Sequence, residues 1–346
     1  MPVKNIRNLF NFIMNKKKIR ILIGLGISGI FLYLALRGIE WNTALEAVQN
    51  CKYEYVLPAL IVYLIALWVR AYRWTFLLPP GVHINTKKAF PILMLGCFAN
   101  NILPLRMGDL YRAYILGKKE NISKSSAFAS IFVDKVFDAL AVLTFLGVAA
   151  WALSSRFPDW EKHLLQSASV VLLGGVVALW LLLWNRGWAN KIITLLTPII
   201  PMRFRDRIIK MVHNFLDGLN TLKNHKLVVM AFLVSLVSWS IEALMYHIFA
   251  TSMGVHPPLY ASAIILAVVN LAMMIPASPA GVGTFEFFAI KTAMPFFPSK
   301  GVAASYSILV HLGWFVPISL MGLYYLWKEN LSLWEMESET TSSTEE

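Results

Sequence analysis

The run Asn100-Asn101-Ile102-Leu103-Pro104-Leu105-Arg106-Met107-Gly108-Asp109-Leu110-Tyr111-Arg112 decides how this chain is built. It closes an apolar stretch, residues 89–105, that is too short and too interrupted for an ordinary helical crossing of a bilayer core of about 30 Å. Charges set against hydrocarbon are costly, and they persist where they face a partner, a cavity or a substrate. A second broken stretch, Pro276-Ala277-Ser278-Pro279-Ala280-Gly281-Val282-Gly283-Thr284-Phe285-Glu286, mirrors the first late in the chain.

The surroundings of both are oily. Of 346 residues, 58% are hydrophobic and 14% charged, against about 25% charged in a soluble domain. Several apolar stretches exceed the roughly 18 residues that signal a membrane span. No hydrophilic stretch reaches the size of a soluble domain, about 50 residues. The expected fold class is therefore all-α: a polytopic membrane protein with about six full transmembrane helices, near 21–38, 55–77, 126–152, 166–184, 227–251 and 301–327, plus two re-entrant helical hairpins. Residues 1–20 read as a basic cytoplasmic N-terminus, 21–330 as one membrane domain, and 331–346 as an acidic disordered cytoplasmic tail. The basic start followed by an apolar run imitates a secretory signal, but it lacks a small-residue cleavage pattern and reads as a retained first span.

The formal net charge of +12 comes from Lys and Arg clustered between spans. It is explained by orientation and by anionic headgroups, without nucleic acid. The first 20 residues hold Lys4, Arg7, Lys16, Lys17, Lys18 and Arg20, and Arg70, Arg73, Lys87 and Lys88 follow the second span. Both sets suit the cytoplasmic side of a cell membrane. If 89–105 crossed fully, Arg106, Arg112, Lys118, Lys119 and Lys124 would face outward. A re-entrant hairpin removes that conflict: a short helix enters, turns near Asn100–Pro104, and returns as an amphipathic helix. The segments before and after the Pro276–Gly283 break are again about 15 residues each, short for a crossing, and form a second hairpin entering from outside. Both termini are then cytoplasmic. Met202–Leu222 has apolar residues at helical spacing with basic residues between them, the pattern of an interfacial helix. Cys51 and Cys97 have no metal-ligand spacing and form no disulfide framework.

Arg106, Asp109 and Arg112 follow one another at i+3 spacing, so they share one side of a helix. Asp109 can bridge both arginines, whose planar forks suit a phosphate, and Asn101 can satisfy backbone at the turn. The alternative is a structural ion-pair ladder, or basic residues snorkelling to the interface. Asp134, Lys135 and Asp138 lie early in the third span, either anchoring it or wetting a headgroup path. Glu242 sits mid-span in Ser-Trp-Ser-Ile-Glu-Ala-Leu-Met, where a carboxylate needs a partner or a proton. Glu242, Asp134 and Asp138 are thus candidates for a gate or proton-linked role. In the second break Ser278, Gly281 and Gly283 allow backbone close to a ligand, and Glu286 lies in the first turn of the following helix, beside amides that favour anions. The alternative is a helix–helix turn capped by Thr284 and Glu286. Phosphate-binding GxxxxGK[ST], HExxH, zinc-type Cys/His spacing and GxSxG are absent from the sequence, so no cofactor or metal is expected.

At these motifs the chain resembles the lysylphosphatidylglycerol synthase membrane-region family, also called flippase-like. Asn101 through Arg112 looks like N-x-x-[LF]-P followed by R-x-G-[DE]-x-x-R, and Pro276 through Glu286 looks like P-x-S-P-x-G-x-G-x-x-E. Arg70-Ala71-Tyr72-Arg73-Trp74 adds to the likeness. The resemblance implies spans plus re-entrant hairpins and movement of a lipid between leaflets. Asp109 stands where Glu is common, and Ala280 where many relatives have Gly. No soluble aminoacyl- or glycosyl-transferring domain is expected beside the membrane region within these 346 residues. The expected function is translocation of a phospholipid or polyprenyl-phosphate-linked lipid, with Arg106, Asp109, Arg112, Asn101, Ser278, Gly281, Gly283 and Glu286 around its headgroup. The alternative is an accessory membrane subunit of a separate lipid-modifying or glycosyltransferase enzyme. An oligomer is compatible with either, and neither makes the chain itself an enzyme.

Overall fold

The computed structural model describes residues 26–103, 107–152, 202–219, 224–274 and 279–331, with the isolated positions 170, 174 and 222. Among them every regular element is helical: α1 (Gly26–Leu36), α2 (Trp41–Gln49), α3 (Val56–Phe76), α4 (Thr86–Ile102), α5 (Gly108–Glu120), α6 (Lys124–Ala152), α7 (Met202–Gly218), α8 (His225–Ser252), α9 (Leu259–Ala272), α10 (Thr284–Ala293) and α11 (Lys300–Lys328). Three segments, Tyr53–Phe76, His225–Ser252 and Lys300–Lys328, are long and apolar enough to cross a membrane. The basic N-terminus, the expected span at 166–184 apart from positions 170 and 174, and the acidic tail beyond Leu331 lie outside the described residues.

The centre is the antiparallel pair α3 and α8. Small side chains let the backbones approach: Ala59, Ala66 and Ala71 of α3 and Ser235 and Ser238 of α8 are fully buried. Ser238 Oγ donates to the Ala66 carbonyl at 3.1 Å, and Lys52 N at the start of α3 donates to the Ser252 carbonyl at the end of α8 at 2.8 Å. Because the pair is antiparallel, α4 departs from one end of it and α9 from the other.

Each departure is a helical hairpin. Asn85 caps α4, its side chain accepting from Lys88 N at 3.0 Å. α4 and α5 then fold against each other where Gly96 meets Gly108, and the Asn100 side-chain oxygen accepts from Gly108 N at 2.8 Å. Their 17 and 13 residues reach only about 25 and 20 Å at 1.5 Å per residue. α9 and α10, with 14 and 10 residues, are shorter still. Both halves of the chain follow one plan, a long helix, a short pair and a long helix, with reversed direction. Contacts obey the same plan: α4 packs on α11 and its counterpart α9 packs on α6, while α5 packs on α6 and α10 on α11. The sequence carries a faint echo, Met107-Gly108-Asp109 opening α5 and Val282-Gly283-Thr284 opening α10.

α11 runs from the base of the second hairpin to the base of the first. Near its start Ser305 Oγ donates to the Ala44 carbonyl of α2 at 2.8 Å; near its end Asn101 Nδ2 donates to Ser319 Oγ at 3.2 Å and Phe98 packs where Gly322 leaves room. The helix α2 falls in a stretch read from sequence only as a connection. The amphipathic α7 docks on α6, with Phe215 beside Phe128 and Phe132 at ring separations of 6.3 and 5.8 Å.

A methyl at Gly108 would overlap the Gly96 carbonyl and Asn100. Gly108→Ala should therefore lower stability by about 1–3 kcal/mol through overpacking. Gly147→Ala, with open space around it, should be neutral or stabilising by roughly 0.5–1 kcal/mol. Thermal unfolding of the two variants in detergent checks this.

Candidate functional site

Arg70 and Arg73 lie three residues apart, so they project from one side of α3 toward α6 and α8. Arg73 is fully buried. Its Nε and Nη2 donate to Asp134 Oδ1 at 3.0 and 2.6 Å, and its Nη1 donates to Asp138 Oδ1 and Ser235 Oγ, both at 2.8 Å. The other Asp134 oxygen accepts from Arg112 Nη1 at 3.0 Å, and the Arg112 guanidinium lies 3.7 Å from the Trp74 ring centre. Arg70 Nη2 meets Glu242 Oε2 at 2.5 Å and stacks 5.1 Å from the Trp239 ring, whose Nε1 donates to Asp138 Oδ1 at 3.0 Å. Lys135 Nζ lies 3.5 Å from Asp109 Oδ1. Arg70, Arg73, Arg112 and Lys135 thus balance Asp109, Asp134, Asp138 and Glu242, as burial of charge demands.

This network forms one wall of a cavity of about 320 Å³. The first hairpin contributes Asn100, Asn101, Leu103 and Asp109; the second contributes Asn270, Met273, Ala280 and Gly281. Tyr63 and Arg70 of α3, Lys135 and Asp138 of α6, Glu242 of α8 and Trp314 of α11 complete it. The two breaks in the chain therefore open on the same space. Ala280 holds φ 55° there, a left-handed conformation that suits glycine better.

Of the residues singled out in the sequence, Asn101, Asp109, Asp138, Glu242 and Gly281 line the cavity. Arg106 and Ser278 lie outside the described residues. Asp134 and Arg112 sit behind the wall, each 1% exposed. Asp109 does not take the place expected for it beside Arg112: it faces Lys135 and Asn100, and Asp134 pairs with Arg112 instead. Glu242, read as isolated, has Arg70 as its partner. Glu286 accepts from Gly283 N at 2.6 Å through Oε2 and meets His311 Nδ1 at 2.5 Å through Oε1. Its carboxylate so occupies an amide that the sequence reading offered to an anion. Gly283 serves close packing: a Cβ there would strike the Ser28 carbonyl of α1, and Ser28 Oγ donates to the Val282 carbonyl.

Sequence reasoning missed Arg70, Arg73, Asn270 and His311. Both arginines went to the cytoplasmic charge count, although they fall inside the expected span 55–77 and stand one helical turn apart. A pair of arginines within an apolar run, with acids in two other spans, was the available signal. His311 gives none locally; its partner is 25 residues away.

The model of the lysylphosphatidylglycerol synthase TM region matches residues 21–322. A UPF0104 membrane protein of Methanothermobacter thermautotrophicus is 28% identical over 80% of this chain and 86% of its own length. One from Methanocaldococcus jannaschii is 24% identical over 86% of this chain and 91% of its own. Glycosyltransferase AglD of Haloferax volcanii is 24% identical over 84% of this chain but only 51% of its own length. No solved structure matches the chain.

Arg73→Met takes from Asp138 its close cation and leaves Asp134 with Arg112 alone, and should cost about 3–5 kcal/mol. Lys135→Met, whose side chain is 42% exposed, should cost no more than about 1 kcal/mol. Unfolding of the purified variants in detergent separates the two outcomes.

Proposed function

The chain belongs to the lysylphosphatidylglycerol synthase TM region family, and on that premise we propose that it is a membrane-embedded translocase that carries a phospholipid or polyprenyl-phosphate-linked headgroup between leaflets. One observation carries the reading: both hairpin breaks and the charged faces of α3, α6 and α8 border a single cavity. In this reading residues 21–330 form the membrane domain, with about six crossings and with α4–α5 and α9–α10 dipping partway in from opposite faces. Non-helical backbone at such depth is tolerated where it is buried in protein or lines a wet cavity. Short, interrupted hydrophobic segments at matching places in two inverted halves favour a binding site there. Both termini are cytoplasmic, and the membrane is the cell membrane.

The physical task is to lower the cost of taking a polar headgroup through hydrocarbon. A headgroup leaving water loses its hydration, and a wall of fixed charges and amides returns much of that interaction. The pair Lys135–Asp109 is the long one in the network, and its side chains are 42% and 23% exposed. It is the place where an incoming phosphate exchanges with a protein carboxylate. Arg106, in the adjoining break, is the second cation proposed for the phosphate. Glu242 of α8, held by Arg70 of α3, is the group proposed to tune charge as the cavity fills.

A second reading draws on the AglD relative, which carries the name of a glycosyltransferase and extends well beyond the shared region. On it the chain is the membrane partner of a separate lipid-modifying or glycosyl-transferring enzyme. Reconstitution of the pure chain into vesicles with a fluorescent phospholipid distinguishes them. Translocation predicts transfer by the chain alone, slowed at least about tenfold, or about 1.4 kcal/mol of barrier, by Lys135→Gln and by Asp109→Asn. Transfer that appears only when an enzyme partner is added overturns the first reading in favour of the second.

A further inference from the structure

The hydrogen bonds within the cavity wall leave a set of acceptor atoms unused beside its donors. Asp109 is held through Oδ1 by Asn100 and Lys135, Asp138 through Oδ1 by Arg73 and Trp239, and Glu242 through Oε2 by Arg70. Their second oxygens, Asp109 Oδ2, Asp138 Oδ2 and Glu242 Oε1, accept from none of the described residues, and they are not among the buried atoms that lack a partner. All three belong to residues that line the cavity. A carboxylate has room for about four hydrogen bonds, so each keeps unused capacity. The amides lean the same way. Asn101 spends an N–H on Ser319 and Asn270 spends one on the Leu266 carbonyl of its own helix, while neither side-chain oxygen accepts from a described residue. Five unused acceptor atoms thus belong to the residues lining the space, beside the charged donors of Lys135 and Arg70.

Charge narrows the choice of ligand. Each of the three carboxylates already has a cation at 3.5 Å or less. An ammonium group would add an unbalanced charge to a compensated set, which is costly inside protein. A bare phosphate could meet Lys135 and Arg70 but would leave these acceptor atoms without donors. Hydroxyl groups supply donors without charge. The walls between these acceptors are aromatic, with Tyr63, Trp239 and Trp314, and suit the apolar face of a ring.

We infer that the headgroup taken by this cavity is a polyhydroxyl ring, a sugar or a cyclitol, bound through its hydroxyl hydrogens to Asp109, Asp138, Glu242, Asn101 and Asn270. The inference rests on the cavity being the seat of the translocated lipid, and it names the chemistry of what sits there. A phosphate joined to such a ring falls to Lys135.

Four short-chain probes test it against the full chain in nanodiscs, with binding read by native mass spectrometry: hexyl β-glucoside, dihexanoylphosphatidylinositol, dihexanoylphosphatidylethanolamine and dihexanoylphosphatidate. At least one of the two hydroxyl-rich probes should bind at least about tenfold tighter than the amine and bare-phosphate probes, because a site built to receive hydroxyls discriminates against ligands lacking them. Which of the two leads distinguishes sugar from cyclitol. Asn270→Leu breaks only a bond within its own helix and keeps the fold; it should weaken the hydroxyl-rich probes about five- to tenfold, the loss of one hydrogen bond, and leave phosphatidate unchanged. Equal binding of all four, tighter binding of the ethanolamine probe, or an unaffected Asn270→Leu overturns the inference. Lipid transfer in vesicles without hydroxyl preference sinks this inference alone; hydroxyl preference without transfer sinks translocation alone.

Discussion

Arg73 ties the molecule together. A guanidinium with no exposure to solvent, reaching Asp134 and Asp138 on α6 and Ser235 on α8, fixes three helices at one point. Inside an apolar assembly such a group is tolerated only when nearly every donor is met, so the ends of these side chains admit one arrangement. The rest of the network hangs from it: Asp134 turns its second oxygen to Arg112 and thereby locates α5, and Asp138 turns toward Trp239 and the cavity. Apolar packing can slide one helix past another at little cost in lipid. The ion network cannot, and it gives the bundle its register.

Much of the helical layout was legible in the sequence because hydrophobic length is a strong signal. The expected spans 55–77, 227–251 and 301–327 correspond closely to α3, α8 and α11, and the Pro and Gly breaks fall between α4 and α5 and between α9 and α10. The mutual placement of the breaks was not legible. It depends on α3 and α8 running antiparallel through small-residue contacts, and Ala and Ser carry no local mark of such packing. The short α2 escaped because a helix of nine residues is marginal by itself and gains its stability from docking on α11.

The site was legible in its residue types and less so in its pairings. Asp138, Glu242, Asp109, Asn101 and Gly281 were chosen because polar groups and glycines in oily segments need a reason to be there, and all five border the cavity. Pairing needs three dimensions. Spacing along one helix suggested that Asp109 serves Arg112, yet the hairpin turns Asp109 toward Lys135 and brings Asp134, 22 residues away, to Arg112. Charge counting misled for Arg70 and Arg73, because a tally of loop charges cannot separate arginines that lie in headgroups from those that face acids inside the bundle.

The course of α11 has a mechanical result. One helix of 29 residues receives the turn of the first hairpin at Ser319 and Gly322 and the head of the second at His311. Those two seats are only about two to three helical turns apart, and Pro317 stands between them, so the gap its missing N–H leaves in the helix ladder falls between the places where the two hairpins rest.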